Sequence, residues 1–147
     1  MSDEKNKENG EKKGRELRRR RSEETHQAMT YQLEYVVEEQ GMDLMFLADA
    51  SGILITYAGD ESVAELFAAH APAIAAGLEL DDELFVAIPG LEPENILCES
   101  ISLDDIPMYL GAVMDPHPDH ARAFERARTG IQRIYYTTSE LAGKKDD

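Results

Sequence analysis

The stretch from Asp43 to Asp60, DLMFLADASGILITYAGD, constrains the fold more than any other. Leu44 to Ala48 is a continuous apolar run, Asp49-Ala-Ser-Gly52 places Asp and Gly where a tight turn needs them, and Ile53 to Ala58 is again apolar and β-branched. That pattern predicts a hairpin. Met45 and Leu47 are as apolar as Leu44 and Phe46, so the first strand has no solvent face and needs cover on both sides.

The flanking segments supply candidates for that cover. Ser22 or Thr25 can cap a helix in which Met29, Leu33, Val36 and Val37 recur at helical spacing and which should end at Gly41. After the hairpin, Asp60 or Ser62 can cap an Ala- and Leu-rich helix, VAELFAAHAPAIAAGL, with a kink or break expected near His70 because Pro72 removes a donor. Its apolar residues surround the axis instead of forming a stripe, whereas one sheet covers only one side of a helix. The small side chains would let a second copy approach closely, and a homodimer is the inference, with a core helix of a monomer as the alternative. Leu84 to Ile88, Asn95 to Ile101 and Met108 to Met114 read as three more strands in an antiparallel meander, with Asp104-Asp-Ile-Pro107 as a turn. Asp115 opens a last helix with Phe124, Ala127, Ile131 and Ile134 on its buried stripe. The organisation expected is a disordered basic and polar extension over 1–21, one domain over 22–138 and a flexible tail over 139–147.

Charge is uneven along the 147 residues. Residues 1–24 carry nine Lys and Arg against seven Asp and Glu; the remainder carries six against twenty-three, which makes the net charge −15. No Lys or Arg occurs from Ser22 to Ala121. Such a body repels phosphate backbones and anionic lipid and offers no internal cation to clamp an anionic substrate. Arg18, Arg19, Arg20 and Arg21 form a basic arm, readable as an electrostatic contact for an acidic partner or nucleic acid, or as the solvated entry to the first helix. Cys98 is the single cysteine, which excludes an internal disulfide. With no long apolar run and no apolar leader, the sequence points to a cytoplasmic protein without membrane insertion.

Site chemistry is sparse. His117 and His120, beside Asp115 and Asp119, are weak metal candidates that lack a third strong ligand. The acidic doublets Asp81/Asp82 and Asp104/Asp105 read as solvated turn carboxylates. There is no phosphate-binding Gly-rich loop, no nucleophile elbow and no Cys-x-x-Cys pair. The expectation is a non-enzyme without a cofactor.

The order helix, hairpin, all-apolar helix, meander, helix, together with Leu44-Met-Phe-Leu-Ala-Asp49, the Asp49-Ala-Ser-Gly52 turn, Ile53 to Gly59 and the Ala-rich Val63 to Ala76, resembles the Roadblock family of dynein light chains and of bacterial and archaeal regulators of Ras-like GTPases. The resemblance covers about Thr25 to Thr137. It implies an α/β/α sandwich with a five-stranded antiparallel sheet, two helices on one face and one on the other. It also implies a dimer interface through Val63, Leu66, Phe67, His70, Ala71 and Ile74 of the middle helix, with Phe85 and Ala87 on an edge strand. Pro72 and the Arg-rich extension depart from the family pattern. The function implied is a dimeric scaffold that binds a small GTPase or another protein; the alternative is a small-molecule sensor of GAF or PAS type, whose hairpins carry a similar apolar-Asp-x-x-Gly motif.

Overall fold

The computed structural model describes residues 23–115 and 118–144. Helix α1 covers residues 23–40 and stops where expected: Gly41 turns left-handed at φ +65° and Met42 N–H donates to Val37 O across 3.1 Å, which satisfies a carbonyl of the last turn. Strands β1 (Leu44–Asp49) and β2 (Leu54–Ala58) form the predicted hairpin. Asp49 makes its corner by accepting from the N–H groups of Ser51 (2.9 Å) and Ile53 (3.0 Å).

The hairpin is bulged at Ile55, since Leu47 pairs with Thr56 and Ala48 with Leu54. His26 of α1 reaches the Ile55 carbonyl with Nε2 at 2.8 Å, and the hydroxyls of Thr30 and Thr56 meet beside it. Thr56 is thereby partnered although buried.

Helix α2 (Glu61–Ala75) starts on Asp60, whose carboxylate accepts from Val63 N–H at 3.1 Å. It continues through Pro72 to Ala75, so of the kink or break expected near His70 the break does not occur. Pro72 leaves the Ala68 carbonyl without its usual helical donor. Gly52 sits against that carbonyl and its neighbour: a Cβ there would lie 3.1 Å from Ala68 O and 3.2 Å from Ala69 O. A glycine, already at φ +83°, is what lets the hairpin corner pack on α2.

The next element corrects the sequence reading. Asp82–Ala87 is a short helix, α3, where a strand was expected over Leu84 to Ile88. Asp81 caps it by accepting from Glu83 N–H at 2.9 Å, Asp82 and Glu83 place negative charge in its first turn, and Leu84 is driven into the core. Strands β3 (Ile96–Leu103) and β4 (Ile106–Val113) follow as a hairpin turned by Asp104 and Asp105, both left-handed at φ 55° and 64°. This turn is two residues tighter than the one expected, and Pro107 falls inside β4. It is tolerated there because β4 pairs with β1 only from Met108 onward, so Pro107 has a partner on the β3 side alone. Helix α4 runs Pro118–Lys144.

The sheet is antiparallel, four-stranded, in the order β2-β1-β4-β3. Five strands were expected; the fifth is α3. On one face Met29, Leu33 and Val36 of α1 and Phe124, Ala127 and Ile131 of α4 meet Met45, Leu47, Leu103 and Leu110. On the other, Ala64, Phe67, Ala68 and Ala71 of α2 and Leu84 of α3 cover Leu44, Phe46, Ala48 and Val113. The pairing of α1 with α4 on one face is as expected, while the opposite face carries two helices instead of one. Strand β1 is covered on both faces. Among the described residues no strand pairs with the outer side of β2 or of β3.

Candidate partner-docking surface

Helix α2 is not enclosed by its own subunit. The sheet buries Ala64, Phe67, Ala68 and Ala71. Ser62, Leu66, Ala69 and Ala73, which follow one another at three- and four-residue steps, lie on the outward side, with Ser62 and Ala69 exposed and Leu66 and Ala73 half-buried. Val63, His70 and Ile74 flank that strip on the side of α3 and are half-buried; His70 Nε2 lies 3.8 Å from Glu83 Oε2. Large apolar side chains continue the surface beyond the helix: Val86 of α3 is 80% exposed and Leu78, just past α2, is 61% exposed. Ile53 at the hairpin corner, beside the Gly52 contact with α2, is 63% exposed.

Of the interface residues that the sequence suggested, Val63, Leu66 and Ile74 of α2 and Phe85 of α3 pack at the margin of one core cluster, and these, His70 and Ala87 are all half-buried. Phe67 and Ala71 are fully buried against the sheet, where they serve the subunit's own core. Phe46 and Phe67 pack there with tilted rings, their centroids 6.2 Å apart. Val86 was missed because a strand was expected where α3 is a helix. The Asp81-Asp82-Glu83 run, a cap followed by first-turn acids, was the available clue.

The rim is acidic. Glu61, Glu65, Glu79, Asp81, Asp82 and Glu83 are exposed around the apolar residues, and no basic side chain exists between residues 22 and 121 to offset them. Cys98, on β3 beneath α2, directs Sγ toward Ala71 O at 3.7 Å. Burial, reinforced by the Glu99 charge, pushes its thiol up to about 12, which leaves it protonated and unreactive.

Among the described residues, the other histidine candidate serves the fold. The imidazole of His120 lies between two backbone carbonyls, Asp115 O at 2.5 Å from Nδ1 and Gln40 O at 3.0 Å from Nε2, so it stitches the end of α1 to the start of α4. His117 and the arm Arg18 to Arg21 lie outside the described residues. Two grooves open to solvent flank α1, one lined by His26, Thr30, Glu34 and Thr56, the other by Gln32, Arg126, Thr129 and Arg133. The first lies between α1 and the β2 edge, the second between α1 and α4. Among the described residues no helix is long and apolar enough to cross a membrane.

No family model and no curated protein sequence matches the chain. Its structure is similar to that of MglB from Myxococcus xanthus, with a TM-score of 0.51 at 16% identity over 77% of this chain and 91% of that one. An MglB with tetrameric arrangement matches with a TM-score of 0.48 at 15% identity, covering 78% of this chain and 92% of that one. The fold is of the Roadblock type.

Proposed function

We propose that this chain is a non-enzymatic docking module that pairs with a second copy through the outer side of α2 and α3, and that the pair serves as a regulatory scaffold for a Ras-like small GTPase or its complex. The observation that carries the reading is the uncovered apolar surface made by Leu66, Leu78 and Val86 alongside small Ala69 and Ala73. Side chains of that size let two helices approach closely. Burying large exposed aliphatics contributes about 1.5–3 kcal/mol each toward the cost of association. The GTPase role is the one implied by the Roadblock-type fold, and a fold by itself does not fix a function.

Sedimentation velocity over a concentration series tests the pairing. The wild type should shift from one copy to two with rising concentration, and Leu66→Glu or Val86→Glu should hold it at one copy, because each would place a charge in an apolar contact. A wild type that stays monomeric throughout would refute the pairing. Salt separates self-association from binding to a basic partner. Two acidic rims repel, so added salt should tighten a homodimer, whereas it would loosen a complex with a basic surface. The scaffold role is tested by nucleotide release and hydrolysis rates of candidate Ras-like GTPases with and without the chain. The arm Arg18 to Arg21 is proposed as an accessory electrostatic contact, and deletion of residues 1–21 should then weaken partner binding most at low salt.

A further inference from the structure

From the juxtaposition of His70, Asp81 and Glu83, we infer a divalent transition-metal site, best suited to zinc, that fastens α3 to α2. One ligand atom from each of the three residues lies within 4.8 Å of the other two. Zinc takes imidazole nitrogen and carboxylate oxygen at about 2.0–2.2 Å, which places neighbouring donors about 3.3–3.5 Å apart around a tetrahedral ion. His70 Nε2 and Glu83 Oε2 are already at 3.8 Å. The remaining adjustment falls to the exposed side chains of Glu83 and Asp81, the latter while one of its oxygens still accepts from Glu83 N–H. One nitrogen and two oxygen donors form a borderline-hard set that favours zinc over calcium or magnesium, which take oxygen alone.

Two further observations point to a cation at this place. The carboxylates of Asp81 and Glu83 converge, with Glu79 and Asp82 close in sequence, in a stretch that has no Lys or Arg from residue 22 to 121. The chain therefore offers no basic side chain of its own from that stretch to relieve their repulsion. The ligands also come from two elements, one of which needs a tether: α3 has six residues and a single buried side chain, Leu84, and a helix that short has no stability of its own. An ion held by His70 on α2 and by the first turn of α3 would supply the missing link.

The test is titration of the full chain with zinc chloride by calorimetry, with cobalt(II) as a visible-absorbance probe of coordination. One ion per chain should bind, with ligand-field bands of a nitrogen–oxygen site, and zinc should raise the melting temperature. His70→Ala and Glu83→Gln should each weaken binding at least about tenfold and abolish the thermal shift, since loss even of an outer-shell partner costs 10- to 100-fold. Glu79→Gln and Asp82→Asn should bind as the wild type does. Circular dichroism checks that each variant folds; if His70→Ala does not, the exposed Glu83→Gln variant decides. Absence of binding, unchanged affinity in the ligand variants, or equal weakening by the Glu79 and Asp82 variants would overturn the site, the last by showing diffuse attraction to an acidic surface.

Discussion

Gly111 in β4 stands opposite Phe46 in β1, and the phenyl ring occupies the place where a side chain would begin. A Cβ at this position would overlap both Cζ and Cε1 of Phe46, closer than non-bonded carbons approach. The ring has nowhere to retreat, being fully buried and backed by Phe67. Gly111→Ala should therefore incur an overpacking penalty of about 1–3 kcal/mol. Removing a flexible glycine from a strand returns roughly 0.5–1 kcal/mol, so the middle of each range leaves a net loss of about 1.2 kcal/mol. With a urea slope of about 2 kcal/mol per M, the unfolding midpoint should fall by about 0.6 M. The diagnostic variant is Gly111→Ala combined with Phe46→Leu, in which the smaller side chain makes room. The double mutant should lose at least about 1 kcal/mol less than the sum of the two single changes, as expected of residues in contact. Losses that add to within about 0.5 kcal/mol, or a Gly111→Ala midpoint equal to the wild type, would refute the reasoning.

Asp105→Gly should stabilise the chain by about 0.5–1 kcal/mol, seen as a higher melting temperature, because Asp105 holds φ 64° in a two-residue turn that favours glycine. Asp60→Ala should cost about 1 kcal/mol by removing the cap on Val63 N–H, measured by urea unfolding. For Cys98 the folded chain holds its thiol proton up to about 12 whereas the unfolded chain releases it near 8.5, so the folded state binds more protons between those values. Stability contributed by this group should be complete below about pH 8.5 and decline as pH rises through that window. The urea midpoint should therefore fall more steeply between pH 7.5 and 9.5 in the wild type than in Cys98→Ala, and iodoacetamide should label the folded thiol far more slowly than the unfolded one.

Elements whose evidence is local were legible in the sequence. Gly41 and Asp60 mark helix ends by their own conformational and hydrogen-bonding preferences, and the Asp49 to Gly52 corner carries its turn chemistry in four residues. Strand β1 announced cover on both faces because both alternating sets of its residues are apolar. Leu84-Phe-Val-Ala-Ile88 misled because aromatic and β-branched residues favour a strand, yet Asp81 caps a helix there and Leu84 alone needs burial. Pro107 misled because a proline argues against a central strand, and only the stagger between β1 and β3 reveals that its nitrogen needs no partner. The docking surface was half legible: the all-round apolar character of α2 was plain, but which side faces inward could not be known before the sheet was assembled. Phe67 and Ala71 could not be told from Leu66 on sequence grounds.

The two borders of the sheet are unequal, and the inequality has a geometric consequence. At β2 the bulge carbonyl of Ile55 is already taken by His26, and the Thr30–Thr56 contact holds α1 close by. At β3 eight residues, ILCESISL, pair with β4 without a break in register, carry one charge and no proline, and lack a neighbour on the outer side among the described residues. Molecules joined β3 to β3 would each consume their free margin and expose only obstructed ones. Growth by that route terminates at a pair and does not propagate into a fibre.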